Sequence, residues 1–158
     1  MTSTEYVVSE RPFVVRRRVK WGDCDPAGVV YTVTFGEYVL SAAELFYGYL
    51  FDGTPQRIKD EHGFGTPTRA LSFDFQASLW PDEEFDMRVT VHEVRTRTYT
   101  LHIHGSARGK PAFDAVLTPI CVARGERRAI EVPDALRTRL LSYQEACAQA
   151  QTSGSAEK

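Results

Sequence analysis

A single long apolar helix set among alternating strands constrains this chain more than any other feature. From Phe35 to Phe51 the residues Phe35, Tyr38, Val39, Ala42, Leu45, Phe46, Tyr49 and Leu50 recur at helical spacing and leave few polar positions for a solvated face. The spacing predicts a helix buried on most sides, which needs a layer to bury it. Over residues 13–21, Phe13, Val15, Val19 and Trp21 alternate with Arg16, Arg18 and Lys20, and only Arg17 interrupts the apolar side. Beyond the helix, Leu71, Phe73, Phe75 and Ala77 alternate with polar residues, as do Phe85, Met87, Val89 and Val91, and then Tyr99, Leu101 and Ile103. Phe113 to Val122 supplies a last strand that Pro119 must bend or bulge. Turns at Trp80-Pro81-Asp82 and from Ala107 to Pro111 are short, so the sheet is expected to be largely antiparallel. One apolar face per strand is what a sheet covered on one side requires. The pattern predicts an α+β domain, an antiparallel sheet of about five strands wrapped round one long central helix.

Asp52-Gly53-Thr54-Pro55 closes the central helix, and a short second helix is expected from Pro55 to about His62. Thr34 and Glu37 are spaced as a capping box. Pro133-Asp134-Ala135 opens a C-terminal amphipathic helix with Leu136, Leu140 and Tyr143 on the face that covers the sheet. From Ala146 onward nothing calls for burial, so residues 146–158 read as a tail, frayed from Thr152. Residues 1–145 then form one domain, and a chain of 158 residues buries about two-thirds of its unfolded surface in a single core.

Chemistry concentrates just ahead of the long helix, in Trp21-Gly22-Asp23-Cys24-Asp25-Pro26-Ala27-Gly28-Val29-Val30-Tyr31. Pro26 fixes its own backbone and biases Asp25 toward an extended conformation, while Gly28 permits a sharp bend. Asp25 is thereby aimed at a helix N-terminus, whose unpaired N–H groups favour a developing oxyanion that a nearby carboxylate attacks. The arrangement points to acyl transfer. The plain structural alternative is an Asx-turn, in which Asp25 only accepts backbone N–H bonds. Asp23 reads as a residue that pins the loop.

Other classes are disfavoured. A net charge of −2 gives no bulk attraction to nucleic acid. Met1-Thr2-Ser3-Thr4-Glu5 lacks the basic and apolar regions of a signal peptide, and no apolar run approaches a membrane span, so a cytoplasmic protein is expected. Cys24, Cys121 and Cys147 are too scattered for a disulfide framework or a zinc pattern. Asp23 and Asp25 flank Cys24 and disfavour its thiolate, which argues against a cysteine nucleophile. The same segment imitates the start of a calcium loop but lacks an oxygen ligand at Ala27 and a closing glutamate at Thr34. His62, His92, His102 and His104 do not bracket the loop at metal spacing, so no metal is expected.

On these residues the chain resembles the hotdog-fold acyl-CoA thioesterases, and specifically the 4-hydroxybenzoyl-CoA thioesterase branch. That branch's motif, Gly-Asp-Cys-Asp-Pro-Ala-Gly, stands unchanged at Gly22 to Gly28. The resemblance continues through Gly65-Thr66-Pro67, Val94-Arg95-Thr96-Arg97 and Arg128-Ala129-Ile130-Glu131-Val132-Pro133, covering roughly residues 12–140. It implies that Asp25 is the catalytic carboxylate and that a backbone N–H at about Thr32 polarises the thioester carbonyl; Tyr31 beside it either lines the acyl site or simply packs. It implies that the Arg95-Thr96-Arg97 turn holds the nucleotide end of coenzyme A, although by itself this turn reads as a solvated hairpin. It further implies a homodimer or homotetramer in which Asp25 faces Gly65-Thr66-Pro67 of a neighbour. The branch carries a further tyrosine where Thr32 stands and a polar residue where Leu40 stands, so its acyl specificity does not transfer with the motif.

The expected reaction is hydrolysis of an acyl-CoA to free acid and coenzyme A without metal or redox cofactor, Asp25 acting as nucleophile or as general base. A carrier-protein thioester is the alternative substrate, and a non-catalytic acyl-thioester-binding protein is the alternative class. A hotdog dehydratase is disfavoured because the helix from Phe35 to Phe51 contains no histidine. Its aromatic residues suit an aromatic-acyl pocket, although filling the core is the commoner use.

Overall fold

The computed structural model describes residues 3–156, with side chains described as far as Gln151; Met1 and Thr2 of the N-terminal reading, and Glu157 and Lys158 of the tail, lie outside it. The central helix α1 (Thr34–Phe51) packs on a six-stranded sheet formed by β1 (Glu5–Glu10), β2 (Phe13–Arg18), β4 (Thr68–Phe75), β5 (Glu84–Val94), β6 (Tyr99–Ala107) and β7 (Lys110–Pro119). Their order is β1-β2-β5-β6-β7-β4, and every neighbouring pair is antiparallel. A separate two-stranded ribbon joins β3 (Phe64–Gly65) to β8 (Val122–Ala123). The short helix α2 (Pro55–His62) follows α1 as its sequence predicts, after Asp52 turns the chain with φ 53°.

Alternation does what the pattern promised. Phe13 and Val15 of β2, Phe85, Met87 and Val89 of β5, Leu101 and Ile103 of β6, and Phe113 and Leu117 of β7 are all buried. Against them α1 sets Phe35, Tyr38, Val39, Ala42, Ala43, Phe46 and Tyr47. Their rings meet edge-on or tilted, with Phe35 5.2 Å from Phe113, Tyr38 4.9 Å from Phe85 and Phe46 5.5 Å from Phe13. Gly105 leaves room for one of these rings, since a Cβ there would stand 2.1 Å from Phe113. Pro119 ends β7, and the register slips on the partner strand between Thr68 and Ala70. The last helix, α3 (Asp134–Ala156), buries Leu136, Leu140 and Tyr143 as predicted. The Tyr143 hydroxyl accepts the Phe13 N–H at 2.8 Å and donates to the Val89 carbonyl, reaching into the seam between β2 and β5.

Four expectations need correction. The main sheet has six strands rather than about five, because Tyr6-Val7-Val8-Ser9 in β1 carries no apolar alternation and leaves Val7 and Val8 exposed. The strand expected to Trp21 ends at Arg18, and a short 3-10 turn at Trp21–Asp23 swings Trp21 into solvent, where it is 78% exposed. The Thr34–Glu37 capping box does not form: Thr34 is the first helical residue, behind Val33, and no side chain caps α1. The segment read as a tail from residue 146 continues α3 to Ala156, since α3 gains backbone hydrogen bonds whether or not its side chains are buried. No helix among the described residues is long and apolar enough to cross a membrane.

Candidate active site

The loop between β2 and α1 folds back on itself. Cys24 pairs with Val30 as an antiparallel bridge, and the Asp25 N–H donates to the Val29 carbonyl at 2.9 Å. The bend inside this small ladder is Pro26-Ala27-Gly28, and Gly28 takes φ 84°, a backbone that side chains rarely adopt. Asp25 forms the predicted Asx-turn, its Oδ1 accepting the Ala27 N–H at 2.9 Å. Its Oδ2 accepts nothing from the described residues. The structural role therefore orients the carboxylate and leaves one oxygen free.

On the returning leg, Tyr31 donates its N–H to the Asp23 carbonyl at 2.9 Å. The next residues wind into α1 through tight turns, Thr34 N–H to the Tyr31 carbonyl at 2.9 Å and Phe35 N–H to the Thr32 carbonyl at 3.3 Å. The Thr32 N–H has no acceptor among the described residues, as expected of a donor ahead of a helix. Asp25 and Thr32 line one groove of about 350 Å³ together with Val29, Val30, Phe35, Phe75, Gln76, Ala77 and Ser78. Phe35 and Phe75 meet edge-on at 4.9 Å and give this groove an aromatic wall. Sequence reasoning missed Phe75, Gln76 and Ser78 as neighbours of Asp25, because only the β4–β7 register brings the end of β4 to the start of α1. The Tyr31 side chain is 50% exposed and is not among the residues lining this groove. Of the helix aromatics, Phe35 lines this groove, whereas Tyr38 and Phe46 are fully buried in the core. Burial first, then the Asp23 and Asp25 charges, push the Cys24 thiol up, against a thiolate role.

Gly65, Thr66 and Pro67 line a different groove of about 390 Å³, with Lys59, Arg124 and Arg127. Beside it, the hydroxyls of Tyr47 and Tyr99 form a buried hydrogen-bonded pair. Lys59 lies over the Tyr47 ring, and burial, helped by Arg124, lowers its pKa. Arg95, Thr96 and Arg97 form the exposed turn between β5 and β6. Its backbone is held from two sides. Arg137 donates to the carbonyls of Arg95 and Thr96 at 2.8 and 3.3 Å, and Cys121 donates its N–H to the Arg97 carbonyl at 2.9 Å. Glu93 pairs with Arg95 at 2.9 Å, while the Arg97 guanidinium has no carboxylate partner among the described residues. Cys121 immediately precedes β8, so the arginine turn adjoins the basic groove rather than the Asp25 groove. Among the described residues no group of His, Cys, Asp and Glu is arranged to hold a metal.

A six-stranded antiparallel sheet wrapped on one long helix is the hotdog fold. The chain belongs to the thioesterase-like superfamily, whose family model matches residues 19–140, and it is a thioester hydrolase. It is 26% identical over 134 residues to the 4-hydroxybenzoyl-CoA thioesterase of a Pseudomonas species, covering 78% of this chain and 93% of that protein. The fold is shared with a thioesterase-superfamily structure from a Jannaschia species, at TM-score 0.79 and 24% identity over 90% of this chain and 96% of that one. It is shared also with a 1,4-dihydroxy-2-naphthoyl-CoA thioesterase from Synechocystis, at TM-score 0.73 and 23% identity over 82% and 95% of the two chains.

Proposed function

We propose that the protein hydrolyses an aromatic acyl-CoA thioester to the free acid and coenzyme A. The observation that carries this reading is the groove in which the free Oδ2 of Asp25 and the unused N–H of Thr32 stand beside the rings of Phe35 and Phe75. The thioester carbonyl oxygen takes the Thr32 N–H, which stabilises the charge that develops on it. Asp25 either attacks the carbonyl carbon, expelling the thiolate and leaving a mixed anhydride that water cleaves, or removes a proton from the attacking water. Neither route calls for a metal or redox cofactor. The aromatic acyl group is supported by the Phe35–Phe75 wall and by relatives named for 4-hydroxybenzoyl-CoA and 1,4-dihydroxy-2-naphthoyl-CoA.

The phosphates of coenzyme A are assigned to Arg95 and Arg97 and to the adjoining groove with Gly65, Thr66, Pro67, Lys59, Arg124 and Arg127. This groove is separate from that of Asp25, which supports a site completed between two copies of the chain. β4 is a sheet edge with Leu71 and Phe73 only half-buried and Phe75 45% exposed, and such an edge favours pairing. The enzyme is thus read as a homo-oligomer acting in the cytoplasm, without nucleic-acid or membrane partners. A hydrolysis screen over benzoyl, hydroxybenzoyl, phenylacetyl and aliphatic CoA thioesters, read by thiol release, tests this. Turnover should favour the aromatic esters. Activity confined to carrier-protein thioesters would replace coenzyme A by a carrier.

A further inference from the structure

Beneath the loop, a line of buried polar groups runs from the N-terminal strand to Asp23. The Asp23 side chain is only 8% exposed; its Oδ2 accepts the Tyr38 O–H at 2.8 Å and the Lys20 N–H at 3.0 Å. Its carbonyl accepts the Tyr31 N–H. One residue therefore fastens both legs of the loop, the leg that leads to Asp25 and the leg that leads to Thr32. Tyr38 comes from the first turns of α1, is 0% exposed, and is wedged against the ring of Phe85. Arg17 of β2, 7% exposed, lies over the Tyr38 ring at 4.7 Å. Glu5 of β1 pairs with Arg17 and accepts the Ser41 hydroxyl of α1 at 2.6 Å. Arg17 falls on the apolar side of β2 and has no apolar reason to be there.

We propose that Tyr38 and Arg17 are positioning residues of the active site, which through Asp23 set the spacing between the Asp25 carboxylate and the Thr32 N–H. This rests on the reading of those two groups as the reacting pair. Burial and the Asp23 carboxylate hold the Tyr38 phenol protonated, so it remains a donor across the working pH range. Without that O–H, a buried carboxylate keeps only a backbone donor and turns toward water, carrying Tyr31 and Thr32 with it. Catalytic geometry tolerates little of this, since a misplacement of about 1 Å costs on the order of a hundredfold in rate.

The test is Tyr38→Phe beside Tyr143→Phe, which removes an equally buried hydroxyl bonded to the backbone of β2 and β5 away from the loop. Tyr38→Phe should lower kcat about tenfold or more with KM for the CoA ester within about twofold, and should speed hydrogen exchange at the Tyr31 amide. Tyr143→Phe should lower the melting temperature and leave kcat unchanged. Added to Asp25→Asn, Tyr38→Phe should not lower the residual rate further. Arg17→Met should shift kcat in the same direction. Equal losses of kcat in both tyrosine variants would overturn the proposal, because general loosening would then explain them. So would wild-type kcat in Tyr38→Phe while Asp25→Asn is inactive. Full activity in Asp25→Asn would instead sink the assignment of the reacting pair, and amide exchange at Tyr31 would still report whether Tyr38 holds the loop.

Discussion

On the proposed reading, the one side chain of Asp25 serves structure and chemistry together. Its Oδ1 closes a turn on Ala27 and its Oδ2 has no partner among the described residues, so an amide in its place would preserve the turn and remove the proposed chemistry. Asp25→Asn is expected to fold normally and to lose at least about a hundredfold in turnover, measured by thiol release on the best ester of the screen. Asp23→Asn should be milder, because an amide oxygen still accepts from Lys20 and Tyr38. If Arg95 and Arg97 hold the nucleotide phosphates as proposed, they act far from the carbonyl, where ground and transition states are bound alike. Replacing both by Ala should raise KM for CoA esters more than it lowers kcat, and the effect should shrink with a phosphopantetheine thioester that lacks the nucleotide. Equal losses on both substrates would remove the arginine turn from the nucleotide site.

Elements are held here by what crosses between them. The space opposite Gly105 is filled by the ring of Phe113 from the neighbouring strand, so Gly105→Ala should force that ring aside and destabilise the fold by about 1–3 kcal/mol in denaturant titration. On the outer face of the sheet, His92 stacks on His102 at 4.6 Å and His102 lies edge-on to His104 at 5.9 Å, with Asp114 of β7 bonded to His104. Burial, then the charges of His92 and His104, lower the His102 pKa from its ordinary 6.5, against a smaller opposing pull from Asp114. The folded state thus binds fewer protons here than the unfolded chain in a window just below pH 6.5, and stability falls there on acidification. His102→Gln should flatten the loss of melting temperature as pH drops through that window, and an unchanged profile would show that His102 does not titrate in this way.

At the scale of the whole molecule, the Asp25 groove and the basic groove of Gly65 to Pro67 are separate, and the proposed function reads them as two half-sites that a second copy of the chain completes. Sedimentation or light scattering at micromolar protein is expected to show no species near the 17.8 kDa of a monomer. Mixing Asp25→Asn chains with chains altered only at Thr66 and Pro67 should restore part of the activity through hybrid sites. A fully active monomer would refute the shared site.

Local rules were enough to read much of this protein. The period of α1 and the alternation of β2, β5, β6 and β7 are set by which side chains must leave water, and the Gly22-to-Gly28 loop is written in residues whose backbone preferences act within a few positions. From these the sheet-and-helix architecture and the turn at Asp25 were legible, whereas Thr32 was singled out only by the family resemblance. What the sequence could not hold were matters of pairing across distance. β1 exists because β2 offers it an edge, not because its own residues alternate. Arg17 looks like a flaw in a strand until Tyr38 and Glu5 are found on either side of it. Phe75, Gln76 and Ser78 reach Asp25 only through the β4–β7 register, and the arginine turn sits with the second groove because the Cys121 N–H is bonded to its backbone. Side-chain period is a property of neighbours in the chain, whereas a site is made where the folded chain brings distant residues together.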